Sequence, residues 1–192
     1  AEGPLSVAHN GNRTNALDLR NWHVREGSIF RTRGDTEVVV HLMARSRHET
    51  PEAQVDDALT HLEGAFSMVI AVGETLFAAR DPFGFRPLVL GRKDGGVVVA
   101  SETCALDIIG ATYLRDVAPG EVVKITDGKI ESLRSLPSRS KPSPCIFELV
   151  YFARPDSRLW GCSVDGARRA FGRQLAREHP ADADCVMAVP DS

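Results

Sequence analysis

Short apolar runs separated by turn-forming dipeptides fill the middle of the chain. Six of these runs have the length of a β-strand: 65–72, 75–80, 87–91, 97–101, 121–126 and 129–133. The connections are rich in glycine and aspartate, and Asp127-Gly128 is a dipeptide that favours a tight type I′ hairpin. A further apolar stretch at 5–8 predicts an opening strand. The pattern therefore predicts an antiparallel β-meander with two hairpins.

Apolar residues at helical spacing flank this meander. Residues 15–25 predict a helix with Gly27 as its stop signal, and residues 51–62 predict a helix that opens with Pro51. A basic-faced helix is predicted at 164–178, where apolar residues recur every four positions.

The segment 35–45 carries two conflicting signals. Three consecutive valines at 38–40 favour a strand. The spacing of Leu42 and Arg45, with Asp35 at an N-cap position, is typical of a helix. The residue pattern by itself leaves both interpretations open.

The composition changes after residue 136, which divides the chain into three predicted parts. Residues 1–136 contain the meander, and residues 137–144 form a linker rich in proline and serine. The part 145–192 contains a predicted strand at 145–152, the helix described above and a predicted strand at 185–189. This order of elements predicts the start of a parallel α/β unit.

Composition excludes several classes of protein. The chain has 23 basic and 26 acidic residues and a net charge of -3, which excludes nucleic-acid binding through bulk positive charge. No apolar run approaches the roughly 18 residues that a membrane span requires. The amino terminus does not have the pattern of a signal peptide, and the four cysteines lie far apart. We therefore expect a soluble, cytoplasmic protein with reduced thiols that binds neither nucleic acid nor membranes.

The tetrapeptide 9–12, His-Asn-Gly-Asn, follows the predicted opening strand. The Asn10 side chain and a main-chain N–H at Gly11 could donate to one developing negative charge, which is how an oxyanion hole works. The competing interpretation is an ordinary turn, because Asn-Gly is a frequent turn dipeptide.

Three other positions have ordinary structural interpretations beside functional ones. Asp35 is either a helix N-cap or a carboxylate that binds a substrate ammonium group. The charged, aromatic segment 80–87 predicts a structural corner in which Arg80 pairs with Asp81, and residues 100–102 predict an edge or turn. No cysteine can be placed beside a base from the sequence, so no nucleophile is assigned.

Taken together and in this order, these segments resemble the amidophosphoribosyltransferase family of N-terminal-nucleophile glutamine amidotransferases. The segments are V-A-H-N-G-N (7–12), G-D-T-E-V (34–38), L-E-G-A-F-S (62–67), R-D-P-F-G-F-R-P-L (80–88), A-S-E-T-C-A-L-D (100–107), P-G-E (119–121), Y-F-A-R-P-D-S (151–157) and V-P-D-S (189–192). The first five are shared loosely with other members of the class, whereas the segment 151–157 after the linker selects this family.

The resemblance implies an α+β fold: an αββα glutaminase sandwich, incomplete at its N-terminus, followed by the start of an α/β phosphoribosyltransferase domain. In such enzymes an N-terminal cysteine attacks the amide of glutamine, with its own α-amino group as base. Asn10 and Gly11 match the oxyanion hole, and Asp35 matches the carboxylate that holds the glutamine α-amino group. The family fold also implies that the segment 35–45 is helical.

For the second domain, the resemblance implies transfer of the released ammonia to phosphoribosyl pyrophosphate, giving 5-phosphoribosylamine in the first step of purine synthesis. Asp191 and Ser192 match the start of its pyrophosphate loop, and Mg²⁺ accompanies the phosphoribosyl pyrophosphate. Cys145 matches a position that ligates a [4Fe–4S] cluster in some members. The family members are homo-oligomers, dimers or tetramers.

Several family features are missing from the 192 residues. Ala1 stands where the cysteine nucleophile should begin the mature chain. The family's arginine-bearing motif, which holds the glutamine carboxylate, should lie upstream of His9, and its phosphoribosyl pyrophosphate motif should lie beyond Ser192; the 192 residues contain neither. We therefore expect an internal fragment that by itself catalyses neither half-reaction. The alternatives are a different glutamine amidotransferase of the same class, or a catalytically dead module that binds glutamine or a partner.

Overall fold

The computed structural model describes residues 4–136 and 141–187. The strands are β1 (Leu5–Arg13), β2 (Gly64–Val72), β3 (Thr75–Arg80), β4 (Val89–Lys93), β5 (Gly96–Ala100), β6 (Thr112–Asp116), β7 (Glu121–Thr126), β8 (Lys129–Ser135), β9 (Arg158–Leu159) and β10 (Cys162–Ser163). The helices are α1 (Ala16–Arg25), α2 (Thr36–Arg45), α3 (Pro51–Thr60), α4 (Thr103–Ile109) and α5 (Val164–Glu178), with a π-helical turn at Glu148–Phe152.

The strands form two main antiparallel sheets. The larger has the order β1-β2-β3-β7-β8 and the smaller has the order β5-β4-β6. The hairpin between β7 and β8 turns at Asp127 and Gly128, whose φ angles are 50° and 68°. Positive φ at both central residues is the signature of a type I′ turn, so the predicted hairpin is confirmed.

Helices and sheets pack in four layers. Helices α2 and α3 cover one face of the large sheet, and their shared core contains Val38, Val39, Leu42, Met43, Val55, Ala58, Leu59, Phe66, Met68, Ile70 and Phe77. The opposite face packs on the small sheet through Ala78, Leu88, Leu90, Val117, Val123 and Ile125. Helix α4 covers the outer face of the small sheet, where Leu106 packs against Val89. The order helix, sheet, sheet, helix confirms the expected αββα sandwich.

The ambiguous segment 35–45 is helical, as the resemblance implies. In α2, Val38, Val39 and Leu42 are all buried against the large sheet. The β-propensity of the valines is overridden because a helix places these residues on one face, where they bury more apolar surface.

The C-terminal part corrects two strand predictions. Residues 145–152, predicted as a strand, form a turn and the π-helical turn, and residues 185–187 form no strand. A short apolar run does not by itself distinguish a strand from a buried helical turn. The sequence also gave no prediction for α4 and β6. The predicted helix 164–178 is confirmed as α5.

The start of the C-terminal part is fixed to the corner between β3 and β4. The main-chain N–H of Cys145 donates to the Phe85 carbonyl at 3.0 Å, and Ser143 donates in the same way to Phe83 at 2.8 Å. The first half of the predicted linker, 137–140, lies outside the described residues, and the boundaries of the parts stay a prediction. No helix within 4–136 or 141–187 is long and apolar enough to cross a membrane.

Candidate active site

Strand β1 carries the predicted oxyanion hole at an edge of the large sheet. Gly11 lies opposite Phe66 in the register with β2, and Asn10 lies opposite Ser67. Phe66 directs both main-chain groups towards Asp81: its carbonyl accepts from the Asp81 N–H at 2.8 Å, and its N–H donates to Asp81 Oδ2 at 3.3 Å. Facing residues in antiparallel pairs alternate between bonded and non-bonded types. The N–H of Gly11 therefore points away from β2, towards the edge that no described strand covers.

Gly11 has a backbone that other residues rarely adopt. Its φ angle is 148°, and a Cβ atom built there would lie 2.2 Å from the main-chain oxygen of Ala65 and 3.0 Å from His9 Nε2. The Ala65 carbonyl is backbone and cannot rotate away. Glycine is therefore required for β1 to approach β2 this closely. The strand continues through Arg13, so the interpretation of 9–12 as an ordinary turn is wrong.

Asn10 faces the gap between the two sheets. Its exposed side chain has no hydrogen-bond partner among residues 4–136 and 141–187, and it lines a cavity of about 220 Å³. Ser67 and Ser101 line the same cavity, together with apolar side chains of both sheets. An unengaged amide donor therefore lies beside the outward N–H of Gly11, which is the juxtaposition that an oxyanion hole needs.

Asp35 lies on the opposite, helix-covered face of β1. Its Oδ1 is 3.4 Å from Arg13 Nη2, and its Oδ2 is 3.6 Å from His9 Nδ1. It occupies the N-cap position of α2 but makes no side-chain capping hydrogen bond. The capping interpretation is therefore wrong for the carboxylate. Asp35 does not line the cavity beside Asn10.

The polar groups beneath Asp35 are desolvated. The Arg13 side chain is 0% exposed, and none of its three guanidinium nitrogens has a hydrogen-bond partner within the described chain. Burial lowers the pKa of Arg13, against the opposing effect of Asp35. Burial and the Arg13 charge also lower the pKa of His9. His9 is therefore neutral near pH 7, and the Asp35 carboxylate, whose side chain is 33% exposed, has one buried cation behind it. Arg13 was not predicted as a site residue, because the sequence pattern does not distinguish a buried arginine at the end of a strand from an exposed one.

Glu37 lies in the first turn of α2, and its contact with the preceding loop was not predicted. Its carboxylate accepts hydrogen bonds from the Arg31 N–H at 2.7 Å, the Thr32 N–H at 2.8 Å and the Thr32 hydroxyl at 2.7 Å. These bonds, with that from Arg31 the largest, lower the pKa of Glu37 to about 2. The acidic residue in the first turn was the available signal. Glu37 thereby holds the loop that precedes Asp35.

The segment 80–87 is a structural corner, as predicted, but Arg80 and Asp81 do not form the predicted pair. Arg80 donates to the carbonyls of Arg86, Val117 and Gly84 at 2.7 to 2.9 Å. Asp81 accepts from main-chain N–H groups, and burial raises its pKa even though these bonds oppose the shift. Both side chains satisfy main-chain groups at the corner that anchors β2 behind Gly11.

The first 107 residues match the family described as glutamine amidotransferase domain. The chain belongs to this family. Over 190 residues the glutamine amidotransferase chain is 52% identical to the chloroplastic amidophosphoribosyltransferase of Glycine max, covering 98% of the chain and 33% of the relative. It is 49% identical to the amidophosphoribosyltransferase of Rhizobium etli, covering 99% of the chain and 39% of the relative.

A solved structure shows the same fold along the whole glutamine amidotransferase chain. The glutamine phosphoribosylpyrophosphate amidotransferase of B. subtilis, solved with ADP and GMP, superposes with a TM-score of 0.93 at 45% identity. The match covers 100% of the chain and 42% of that structure. The chain thus spans between a third and about two fifths of the length of the relatives it matches. The soybean relative is chloroplastic by name, and the cytoplasmic location of this glutamine amidotransferase stays a prediction.

Of residues 100–102, predicted as an edge or turn, Ala100 ends β5, and Ser101 and Glu102 form a bend before α4 in this glutamine amidotransferase. Glu102 Oε2 accepts from the Ser157 hydroxyl at 2.7 Å and from the Arg154 N–H at 2.8 Å. Thr103 accepts from the Arg158 N–H at 2.8 Å. The wall of the cavity beside Asn10 is therefore fixed to the segment that follows the predicted linker.

Cys145, the predicted cluster position, is half-buried in the turn after the linker. The described residues include no group of three or more histidine, cysteine, aspartate or glutamate side chains that could hold a metal ion. They therefore do not fit an iron–sulfur cluster by themselves, since such a cluster needs four ligands. The cluster stays a prediction. Asp191 and Ser192 lie outside the described residues.

Proposed function

We propose that the chain is part of a glutamine-dependent amidophosphoribosyltransferase. Such an enzyme hydrolyses glutamine to glutamate and ammonia, and the ammonia displaces pyrophosphate from phosphoribosyl pyrophosphate to give 5-phosphoribosylamine. One observation carries the proposal: similarity to relatives named amidophosphoribosyltransferase continues far beyond residue 107, where the shared glutamine amidotransferase family ends, and covers 98% or more of the chain.

In the glutaminase half-reaction, Asn10 and Gly11 stabilise the oxygen that becomes negative when a cysteine thiolate adds to the amide carbon. The outward N–H of Gly11 and the unengaged amide of Asn10 support this assignment. Each such donor contributes about 3 kcal/mol to transition-state stabilisation, because it is fixed before the charge develops. The strand geometry fixes the Gly11 N–H in advance and places the Asn10 side chain beside it.

Asp35 binds the α-amino group of glutamine in this proposal. Asn10 and Asp35 lie on opposite faces of β1, but β1 is an edge strand. A ligand lying along the open edge can therefore reach side chains from both faces. The buried Arg13 guanidinium lies 3.4 Å from the Asp35 carboxylate, whose side chain stays one-third exposed. A carboxylate that is partly open to solvent is suited to an ammonium group.

Residues 145–192 begin the phosphoribosyltransferase domain in this proposal. Asp191 and Ser192 open its pyrophosphate loop, and phosphoribosyl pyrophosphate enters with Mg²⁺ at residues beyond this chain. The proposal also includes a homo-oligomeric enzyme, with Cys145 as a ligand of a [4Fe–4S] cluster in the longer protein. The relatives' similarity across this part of the chain supports the domain assignment.

The decisive experiment uses the full-length product of the gene that contains these 192 codons. We expect phosphoribosyl pyrophosphate to be consumed with glutamine and also with ammonia, and we expect the 192-residue chain alone to catalyse neither reaction. Consumption with ammonia but not glutamine would identify a dead glutaminase module. Transfer of ammonia to a different acceptor would identify another glutamine amidotransferase. Either result would contradict the proposal.

A further inference from the structure

A second cavity lies in the helical layer, away from the edge of β1. It has a volume of about 400 Å³, within the range of small-molecule sites. Its lining comes from α1, α2, the loop after α2, and α3 with the residue that follows it: Leu19, Trp22, His23, Leu42, Arg45, Ser46, Arg47, His48, Asp57 and His61. Asp35 and Arg45 lie at opposite ends of α2, which are about 15 Å apart at 1.5 Å per residue. The cavity is therefore separate from the proposed glutamine site.

His23 is the unusual member of this lining. Its side chain is completely buried, and neither ring nitrogen has a hydrogen-bond partner among the described residues. Its ring packs against Trp22 with centroids 4.7 Å apart and lies 5.7 Å from His41. Buried polar atoms in folded proteins are almost always paired, so an orphan donor and an orphan acceptor beside a cavity indicate a missing polar partner.

The charges around the cavity favour an anion as that partner. Arg45 contributes a cation at one side, already paired with Glu26 at 3.3 Å. Arg47 is exposed and has no ion-pair partner within the described ranges. Asp57 is the one carboxylate of the lining, and it is already engaged by the Ser46 hydroxyl at 2.6 Å and by His61 at 3.7 Å. The groups left free to bind a ligand are therefore Arg47, His48 and His23.

The apolar side of the cavity determines what the non-anionic part of the ligand must be. Leu19, Leu42 and Trp22 supply the apolar wall of the cavity, and the Arg45 guanidinium lies 5.4 Å from the Trp22 ring centroid. A flat apolar body could stack on this wall while its anionic end reaches Arg47. We propose that this cavity is a binding site for a small organic anion, a carboxylate or phosphate monoester with a flat apolar body.

The test uses phenyl phosphate as the probe and the fluorescence of Trp22 as the signal. The only other tryptophan, Trp160, is replaced by phenylalanine so that Trp22 reports alone. We expect saturable quenching by phenyl phosphate. Benzyl alcohol lacks the anionic group and inorganic phosphate lacks the flat apolar ring, so we expect each to bind at least about tenfold more weakly. The same titration with benzoate distinguishes a preference for phosphate from one for carboxylate.

Two variants test the assignment. Arg47→Ala removes an exposed cation without touching the core, and we expect it to weaken binding roughly fivefold or more. Arg173→Ala removes an exposed cation of α5 as the matched control, and we expect it to bind as the parent does. His23→Phe should weaken binding while keeping the buried ring.

The proposal would be overturned by an absence of saturation in the millimolar range, or by equal binding of benzyl alcohol. Equal effects of Arg47→Ala and Arg173→Ala would also overturn it, since they would show attraction to net charge alone.

Discussion

Arg86 and Glu148 form an ion pair across 62 positions of sequence, with Nη1 and Oε1 2.6 Å apart. The Glu148 side chain is only 4% exposed. The Arg86 guanidinium also lies 4.6 Å from the centroid of the Phe152 ring. This pair joins the corner that supports the sheet edge to the segment after the predicted linker, so the two parts of the chain share a desolvated charged contact.

Replacing Glu148 by glutamine should therefore destabilise the chain. The change keeps the shape but leaves Arg86 without its anion, and we expect a loss of about 1–3 kcal/mol in the free energy of unfolding measured with urea. Asp156→Asn is the matched control, because it breaks an exposed pair with Arg154 and should change stability little. Equal losses in the free energy of unfolding for the two variants would mean that the Arg86–Glu148 pair stabilises the chain no more than an exposed ion pair does.

Asn10→Ala should separate the two half-reactions in the full-length protein. Loss of one oxyanion donor should lower glutamine-dependent turnover by about a hundredfold or more. Ammonia-dependent turnover should be unchanged, because it does not use this strand edge. Steady-state assays with each nitrogen donor provide the measurement, and an equal fall in both rates would assign Asn10 a structural role.

Asp35→Ala should chiefly raise the KM for glutamine in the full-length protein. Removing the carboxylate also leaves the buried Arg13 guanidinium without its ion-pair partner, so the melting temperature should fall as well. The measurements are glutamine kinetics and thermal unfolding of the same preparation. A lower melting temperature with an unchanged KM would show that Asp35 serves only to pair with Arg13.

Gly11→Ala should destabilise the chain far more than a comparable change elsewhere. The new methyl group would meet the Ala65 carbonyl, and a φ of 148° is unfavourable for alanine, so we expect a loss of more than about 3 kcal/mol. Gly73→Ala is the control: its φ is 56°, but a Cβ there meets nothing within 4 Å. We expect about 1–2 kcal/mol for that variant, and similar losses in urea unfolding would show that the strand accommodates the methyl group.

The pH dependence of stability should contain a contribution from Glu37. Its pKa in the folded chain is lowered to about 2 from 4.5, so the stabilisation is complete above pH 4.5 and is lost as the pH falls towards 2. Glu37→Gln should make stability less dependent on pH in this window. Urea unfolding at several pH values measures the difference, and parallel curves for variant and parent would contradict the assignment.

Much of the sandwich follows from local pattern. The hairpin at Asp127-Gly128 and the helices α1, α3 and α5 were all predictable, because turn chemistry and apolar spacing act over a few residues. The segment 145–152 shows where this fails: its apolar run resembles a strand, yet Glu148 pairs with Arg86, a contact that no local pattern contains. Helix α4 was missed because its short apolar stretch becomes amphipathic only against the small sheet.

The sequence by itself determined most strands of the two main sheets, the Asp127-Gly128 turn, and the identity of Asn10, Gly11 and Asp35 as candidate residues. Only the tertiary structure decided that the Gly11 N–H faces an open edge, that Asp35 lies above a buried Arg13, and that His23 has unpaired nitrogens beside a cavity. The physical reason is the sequence separation over which each kind of interaction acts. Propensity and periodicity depend on neighbours along the chain, whereas desolvation and hydrogen-bond partners depend on groups that the chain brings together from distant positions.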